Sequence, residues 1–139
     1  MDKAVFLDTN GWIALLNSRD SLHLAADELW RRLGNEGYSV LLTDWVLAET
    51  GNGLARNRAR GAFVAVVAAL RASSRATLVL ITEPLLDRAL DLYAQRDDKA
   101  WGLVDCASFV VMQDRGVRVA FTTDKHFEQA GFEPLLAES

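Results

Sequence analysis

Short apolar runs that stop at turn or cap signals alternate along this chain with segments of helical period, and that alternation constrains its fold more than any other feature. Val5-Phe6-Leu7 ends at Asp8 before the turn signal Thr9-Asn10-Gly11 and reads as a short buried strand, with a helix over Trp12 to Leu16 behind it. Leu22, Ala25, Ala26, Leu29 and Leu33 share one helical face, Asp27, Glu28, Arg31 and Arg32 lie elsewhere, and Gly34 and Gly37 mark the stop. Tyr38 to Leu42 is the second strand, and Thr43-Asp44 caps a helix carrying Val46, Leu47 and Glu49, which Gly51 and Gly53 loosen. A helix over Arg60 to Arg71 and a strand over Thr77 to Ile81 come next. Glu83-Pro84 then starts a helix whose inner stripe is Leu85, Leu86, Ala89, Leu90 and Tyr93. Asp105 to Gln113 is a helix closed by Arg115-Gly116, Val117 to Phe121 a strand, Asp124 opens a short helix ending near Gly131, and Glu133 to Leu136 is a last extended piece. Elements in this order pack as a three-layer α/β/α sandwich around a central, mostly parallel sheet of four to five strands.

Composition narrows the class. The chain has 139 residues, half of them apolar, with 15 basic and 19 acidic side chains. That balance excludes a disordered or fibrous protein and a uniformly basic nucleic-acid-coating protein. No repeat or linker divides it, so residues 1–139 are expected to form a single domain. The start, Met1 to Leu7, lacks the apolar stretch of a signal peptide, and the longest apolar run, Ala62 to Leu70, is too short to span a bilayer. A soluble, cytoplasmic protein is expected. Cys106 is the only cysteine, which excludes an internal disulfide and a cysteine-rich metal site and leaves a small core residue.

Chemistry in such a sheet collects outside the carboxyl ends of the strands. Asp8 ends the first strand, and Asp124 follows the strand Val117 to Phe121 after Thr122-Thr123. Glu49 lies on the helix after the second strand and Asp105 near a helix start. Short right-handed crossovers return both to the same edge. Taken singly, these acids read as caps, a turn residue and an exposed helix acid. Together they form a cluster whose mutual repulsion calls for protons or hard divalent cations.

Asp8-Thr9-Asn10 after an apolar strand, Ala48-Glu49, Leu103-Val104-Asp105-Cys106-Ala107-Ser108-Phe109, and Thr122-Thr123-Asp124-Lys125-His126-Phe127 with Gly131-Phe132 stand in order along the chain. In these motifs the sequence resembles the PIN-domain nucleases over essentially its whole length, and more narrowly the VapC-type ribonuclease toxins of toxin–antitoxin systems. The resemblance implies a PIN-like fold and a metal-dependent endoribonuclease with acids at Asp8, Glu49, Asp105 and Asp124. It implies Asp8, Asp105 and Asp124 as ligands of Mg2+ or Mn2+, with Thr9, Asn10 and Thr122 lining the site. It also implies an RNA substrate, a homodimer, and a cognate antitoxin whose C-terminal segment lies on an apolar groove of the early helices, including those bearing Trp12 and Trp30. In-line attack by water on the phosphodiester should leave a 5′-phosphate and a 3′-hydroxyl.

Between Glu49 and Glu83 there is no acidic residue, whereas Arg56, Arg58, Arg60, Arg71 and Arg75 fall there. Arg56, Arg58 and Arg60 are the candidates for phosphate contact, against a purely solubilising role. Trp101, shortly before Asp105, is the candidate for base stacking, the remaining tryptophans being expected in the core or at an interface. His23 and His126 read as surface or capping residues. Three other readings stay open: His23 and His126 as a metal-independent acid–base pair cleaving RNA through its 2′-hydroxyl, Asp8 as the nucleophile of an aspartyl phosphohydrolase, and a degenerate RNA-binding or receiver-like module. A stand-alone PIN nuclease in RNA processing is the alternative to a toxin. Asn10 stands where the phosphohydrolase wants a second acid, and no acid pair at the first strand end supports a receiver.

Overall fold

The structure, a computed structural model, describes residues 3–136; Met1, Asp2 and 137–139, the ends of the expected 1–139 domain, lie outside the described residues. Five strands, β1 (Ala4–Leu7), β2 (Ser39–Thr43), β3 (Ala76–Val79), β4 (Val119–Phe121) and β5 (Glu133–Pro134), form one sheet in the order β3-β2-β1-β4-β5. Every pairing is parallel. The helices are α1 (Thr9–Leu16), α2 (His23–Asn35), α3 (Asp44–Gly53), α4 (Arg60–Ala72), α5 (Glu83–Gln95), α6 (Leu103–Arg115) and α7 (Lys125–Gln129).

The chain builds outward from β1 through β2 to β3, then returns to lay β4 against the other side of β1. Right-handed crossovers therefore send the early and the late helices to opposite faces. In accord with this, α1 packs on α2 and α3, and α5 packs on α6. The core has an aromatic cluster for each layer: Trp12 against Phe63 and Trp30 against Phe121, and Phe109 between Trp101, Phe127 and Phe132. Phe6 reaches Phe127, so β1 contributes directly to the second cluster. The fully buried rings among them, Trp12, Phe6, Phe121 and Phe127, each contribute roughly 2–3 kcal/mol relative to exposure.

Several sequence expectations change here. Thr9-Asn10-Gly11 is no turn: α1 starts at Thr9, with Asp8 in the N-cap position and the Trp12 N–H donating to the Asp8 carbonyl at 3.0 Å. Gly11 explains this. A Cβ on it would lie 2.0 Å from the Phe121 carbonyl oxygen, so only glycine lets α1 approach the end of β4. Helix α3 runs through Gly51 and ends at Gly53, and the missing side chains at these positions also let the Phe63 ring and the Ile13 side chain close on it. Helix α2 runs past Gly34 to Asn35 and ends before Gly37, which adopts φ +84°. On α5, Ala89 is buried, but Leu90 and Tyr93 are exposed, so the inner stripe is narrower than the pattern implied. Strand β3 stops at Val79 because Leu80 turns outward and the Ile81 N–H is captured by Asp44 Oδ1 at 2.9 Å. Cys106 is buried as expected. Among the described residues no helix is long and apolar enough to cross a membrane.

Candidate active site

Neighbouring strands β1 and β4 lead to connections running in opposite directions, and the crevice outside their carboxyl ends is where such a sheet opens a binding site. Asp8 leaves β1 there and Thr122 leaves β4. Thr122 Oγ1 lies 2.8 Å from both Asp8 Oδ2 and Asn10 Oδ1, and it accepts the Asp124 N–H at 3.0 Å. One hydroxyl proton cannot serve two acceptors, so Thr122 donates to Asp8 when that carboxylate is ionised. When Asp8 is protonated, the hydroxyl is free to donate to Asn10. Asn10 closes the bracket: its Oδ1 accepts the Thr123 N–H and its Nδ2 donates to Thr123 Oγ1, both at 3.2 Å. Thr122 and Asn10 thus tie the end of β4 to the start of α1.

Asp105 lies in the first turn of α6, and its Oδ2 accepts the Gly102 N–H at 3.0 Å. Asp124 caps α7, its Oδ1 accepting the His126 N–H at 2.9 Å. The capping roles seen in the sequence therefore exist and also aim the carboxylates. His126 joins them: its Nδ1 is 3.4 Å from Asp105 Oδ2 and from Asp124 Oδ1. Ligand-type atoms of Asp105, Asp124 and His126 all lie within 4.8 Å of one another. Glu49 is exposed on α3 and accepts a 2.5 Å hydrogen bond from Thr9 Oγ1, beside Asp8 in sequence.

Asp8 is only 5% exposed. Burial raises its pKa from the usual 3.8 to about 7, against the lowering effect of hydrogen bonds from Thr122 and the Thr9 backbone, while the charges of Asp105 and Asp124 push it further up. Asp105 is raised for the same leading reason, burial, helped by Asp124 and opposed by the Gly102 N–H and His126. Two carboxyls held above their ordinary range, a third beside them and a buried nitrogen with no hydrogen-bond partner form a donor set short of positive charge. Divalent cations fit such a set.

The other candidates fall elsewhere. Arg56 and Arg58, with Arg19, Asn17, Ser18 and Asn57, line an open cavity of about 400 Å³ between the end of α1 and the α3–α4 turn. Asn17 at its edge lies eight residues beyond Thr9, about 12 Å along α1. Arg60 is tied to the Ala55 carbonyl at 3.0 Å. Trp101 is 6% exposed, packed edge-on against Phe109, bonded through Nε1 to Gln129 and covered by the Arg96 guanidinium. It has no free face for a base, which corrects the stacking expectation. Trp12 is fully buried and lines no groove; Trp30 is partly covered against Phe121. His23 Nδ1 sits 2.9 Å from the Ala14 carbonyl oxygen, so the two histidines are engaged separately and form no acid–base pair. The His126 backbone caps onto Asp124 and its side chain is partly exposed, in line with the surface or capping reading, but its ring nitrogen also faces the acids. The only signal was its spacing, two residues past a capping acid.

A PIN domain model matches residues 5–133. Two curated relatives, the 23S rRNA-specific endonuclease VapC20 of Mycobacterium tuberculosis strains CDC 1551 / Oshkosh and ATCC 25618 / H37Rv, are each 34% identical over 134 residues, covering 96% of this chain and 99% of the relative. The crystal structure of M. tuberculosis VapC20, described as a sarcin–ricin loop cleaving toxin, superposes with a TM-score of 0.82 at 32% identity, covering 95% of this chain and 98% of that one. VapBC2 from Rickettsia felis, solved on a DNA fragment of its promoter, shares the fold at a TM-score of 0.67 and 13% identity over 98% of this chain and 99% of that one. With nearly full-length identity above 30% to VapC20 and a family match over most of its length, the chain belongs to the PIN-domain family, among the VapC-type endonucleases.

Proposed function

We propose that this protein is a metal-dependent endoribonuclease, the toxin of a toxin–antitoxin pair, acting in the cytoplasm on a structured RNA. The observation that carries it is the gathering of Asp105 and Asp124 with His126 within 4.8 Å at the sheet's switch point, where Thr122 links the buried Asp8 to the Asp124 backbone. Ribosomal RNA is the first substrate to test, because the VapC20 relatives are named for 23S rRNA.

Asp8, Asp105 and Asp124 would hold Mg2+ or Mn2+. When bound, such an ion activates water and neutralises charge at the phosphodiester. The chain's own residues do the rest. Thr122 holds Asp8 by its hydroxyl and Asp124 by that residue's backbone, and Asn10 braces both through Thr123. Glu49, fixed by Thr9, keeps a second oxygen to take the proton of the attacking water. The products carry a 5′-phosphate and a 3′-hydroxyl. Arg56 and Arg58 take a backbone phosphate some 12 Å along α1, with Arg60 supporting the turn that presents them.

The antitoxin is the proposed protein partner, and a homodimer the proposed assembly. Apolar side chains open to a partner are Leu24 on α2, 81% exposed, and Val64 on α4, 63% exposed. Helix α4 has no buried residue at all, although apolar residues fill most of it. The deciding experiment is cleavage of ribosomal RNA by wild type, Asp8→Asn and Asp105→Asn, each with Mg2+, with Mn2+ and with EDTA. Activity is expected only in the metal-loaded wild type, with 5′-phosphate ends; full activity in EDTA, or in both variants, would overturn the mechanism.

A further inference from the structure

We propose that His126 is a metal ligand through Nδ1, so that this site is a mixed nitrogen–oxygen one that favours a first-row transition ion over Mg2+. The inference rests on the metal-dependent reading above and adds to it a residue and an ion preference.

Nδ1 stands 3.4 Å from one oxygen each of Asp105 and Asp124. Charge-assisted hydrogen bonds are shorter, 2.7–2.9 Å, so the ring is bonded to neither carboxylate. The nitrogen is nonetheless fully buried and has no hydrogen-bond partner. His23 provides the contrast, its Nδ1 meeting the Ala14 carbonyl oxygen at 2.9 Å. Adjacent ligands of a six-coordinate ion bonded at 2.0–2.2 Å are about 3 Å apart, and opposite ones about 4.3 Å. The His126, Asp105 and Asp124 atoms, all within 4.8 Å of one another, are spaced for joint ligation rather than for mutual hydrogen bonding.

The local sequence holds the ring there. The His126 N–H caps onto Asp124, and the next residue, Phe127, is fully buried between Phe6 and Phe109. His126 is therefore fixed on both sides along the chain, with the Nδ1 edge of its ring turned to the acids. Imidazole adds affinity for first-row transition ions and little for Mg2+, which prefers oxygen.

The test is Mn2+ binding to the whole protein without RNA, read by electron spin echo modulation and by titration. Wild type should show imidazole nitrogen coupling to bound Mn2+, and His126→Gln should lose it. In His126→Gln and His126→Ala the Mn2+ dissociation constant should rise at least about tenfold, since even outer-shell partners are worth that much, while that for Mg2+ moves less than about threefold. Bound Mn2+ without nitrogen coupling in wild type, or equal weakening for both ions, would overturn this inference and leave the metal-dependent reading standing. Wild type that binds neither ion would overturn both.

Discussion

A buried carboxyl whose proton affinity is set by its surroundings makes Asp8 a stability switch as well as a proposed metal ligand. Its pKa is about 7 in the folded chain and 3.8 when unfolded, so the folded state takes up a proton between those values that the unfolded state does not. The ionised form therefore weakens the fold. The penalty is full above pH 7 and is relieved as pH falls towards 4, and the raised Asp105 acts in the same direction. For Asp8 it is on the order of 4 kcal/mol at 1.36 kcal/mol per pKa unit. In EDTA the melting temperature of wild type should rise on going from pH 8 to pH 5.5, and Asp8→Asn should melt higher than wild type at pH 8 with a much flatter profile. A wild-type melting temperature that falls over that range would contradict the burial of an unneutralised Asp8. Thr122→Val deletes the hydroxyl serving Asp8, Asn10 and the Asp124 N–H. It should cost about 1–3 kcal/mol in urea unfolding and lower cleavage much more than binding of RNA.

At the scale of elements, the site depends on how closely α1 approaches β4. Gly11→Ala places a methyl 2.0 Å from the Phe121 carbonyl oxygen and 2.6 Å from its ring, in a contact where neither backbone yields readily. Denaturant unfolding should show a loss of about 2–4 kcal/mol, and cleavage should fall because Asn10 is pushed off Thr123. Most of the elements were legible in the sequence: every helix and strand was expected within a few residues, because period and caps are written locally. The first turn of α1 was not. Thr9-Asn10-Gly11 has turn composition, and only the close packing on Phe121 makes a helix of it. The packing role of Gly51 and Gly53 was hidden for the same reason, since a glycine looks identical in sequence whether it ends a helix or admits a neighbour.

For the molecule as a whole, the net charge of −4 is matched formally by the four acids Asp8, Glu49, Asp105 and Asp124, while the arginines gather some 12 Å away at the far end of α1. Attraction for RNA is therefore a matter of distribution, not of net charge. With cleavage blocked by Asp8→Asn, adding Arg56→Ala and Arg58→Ala should weaken RNA binding and flatten the dependence of log K on log salt by about 0.7 per lost phosphate contact. Thermal stability should stay unchanged, since both side chains are exposed. An unaltered salt slope would return these arginines to a solubilising role.

The sequence by itself determined the alternation that forces a parallel sheet and put acids at the ends of its first and fourth strands. Those are consequences of short-range pattern, readable within a window of a dozen residues. Tertiary structure alone decided which acid is buried, that Thr122 serves Asp8 across 114 positions, that Trp101 is sealed under Arg96, and that the His126 nitrogen is left facing two carboxylates. Burial and proton affinity depend on what other elements bring to a side chain, and residues far apart in sequence carry no local sign of meeting.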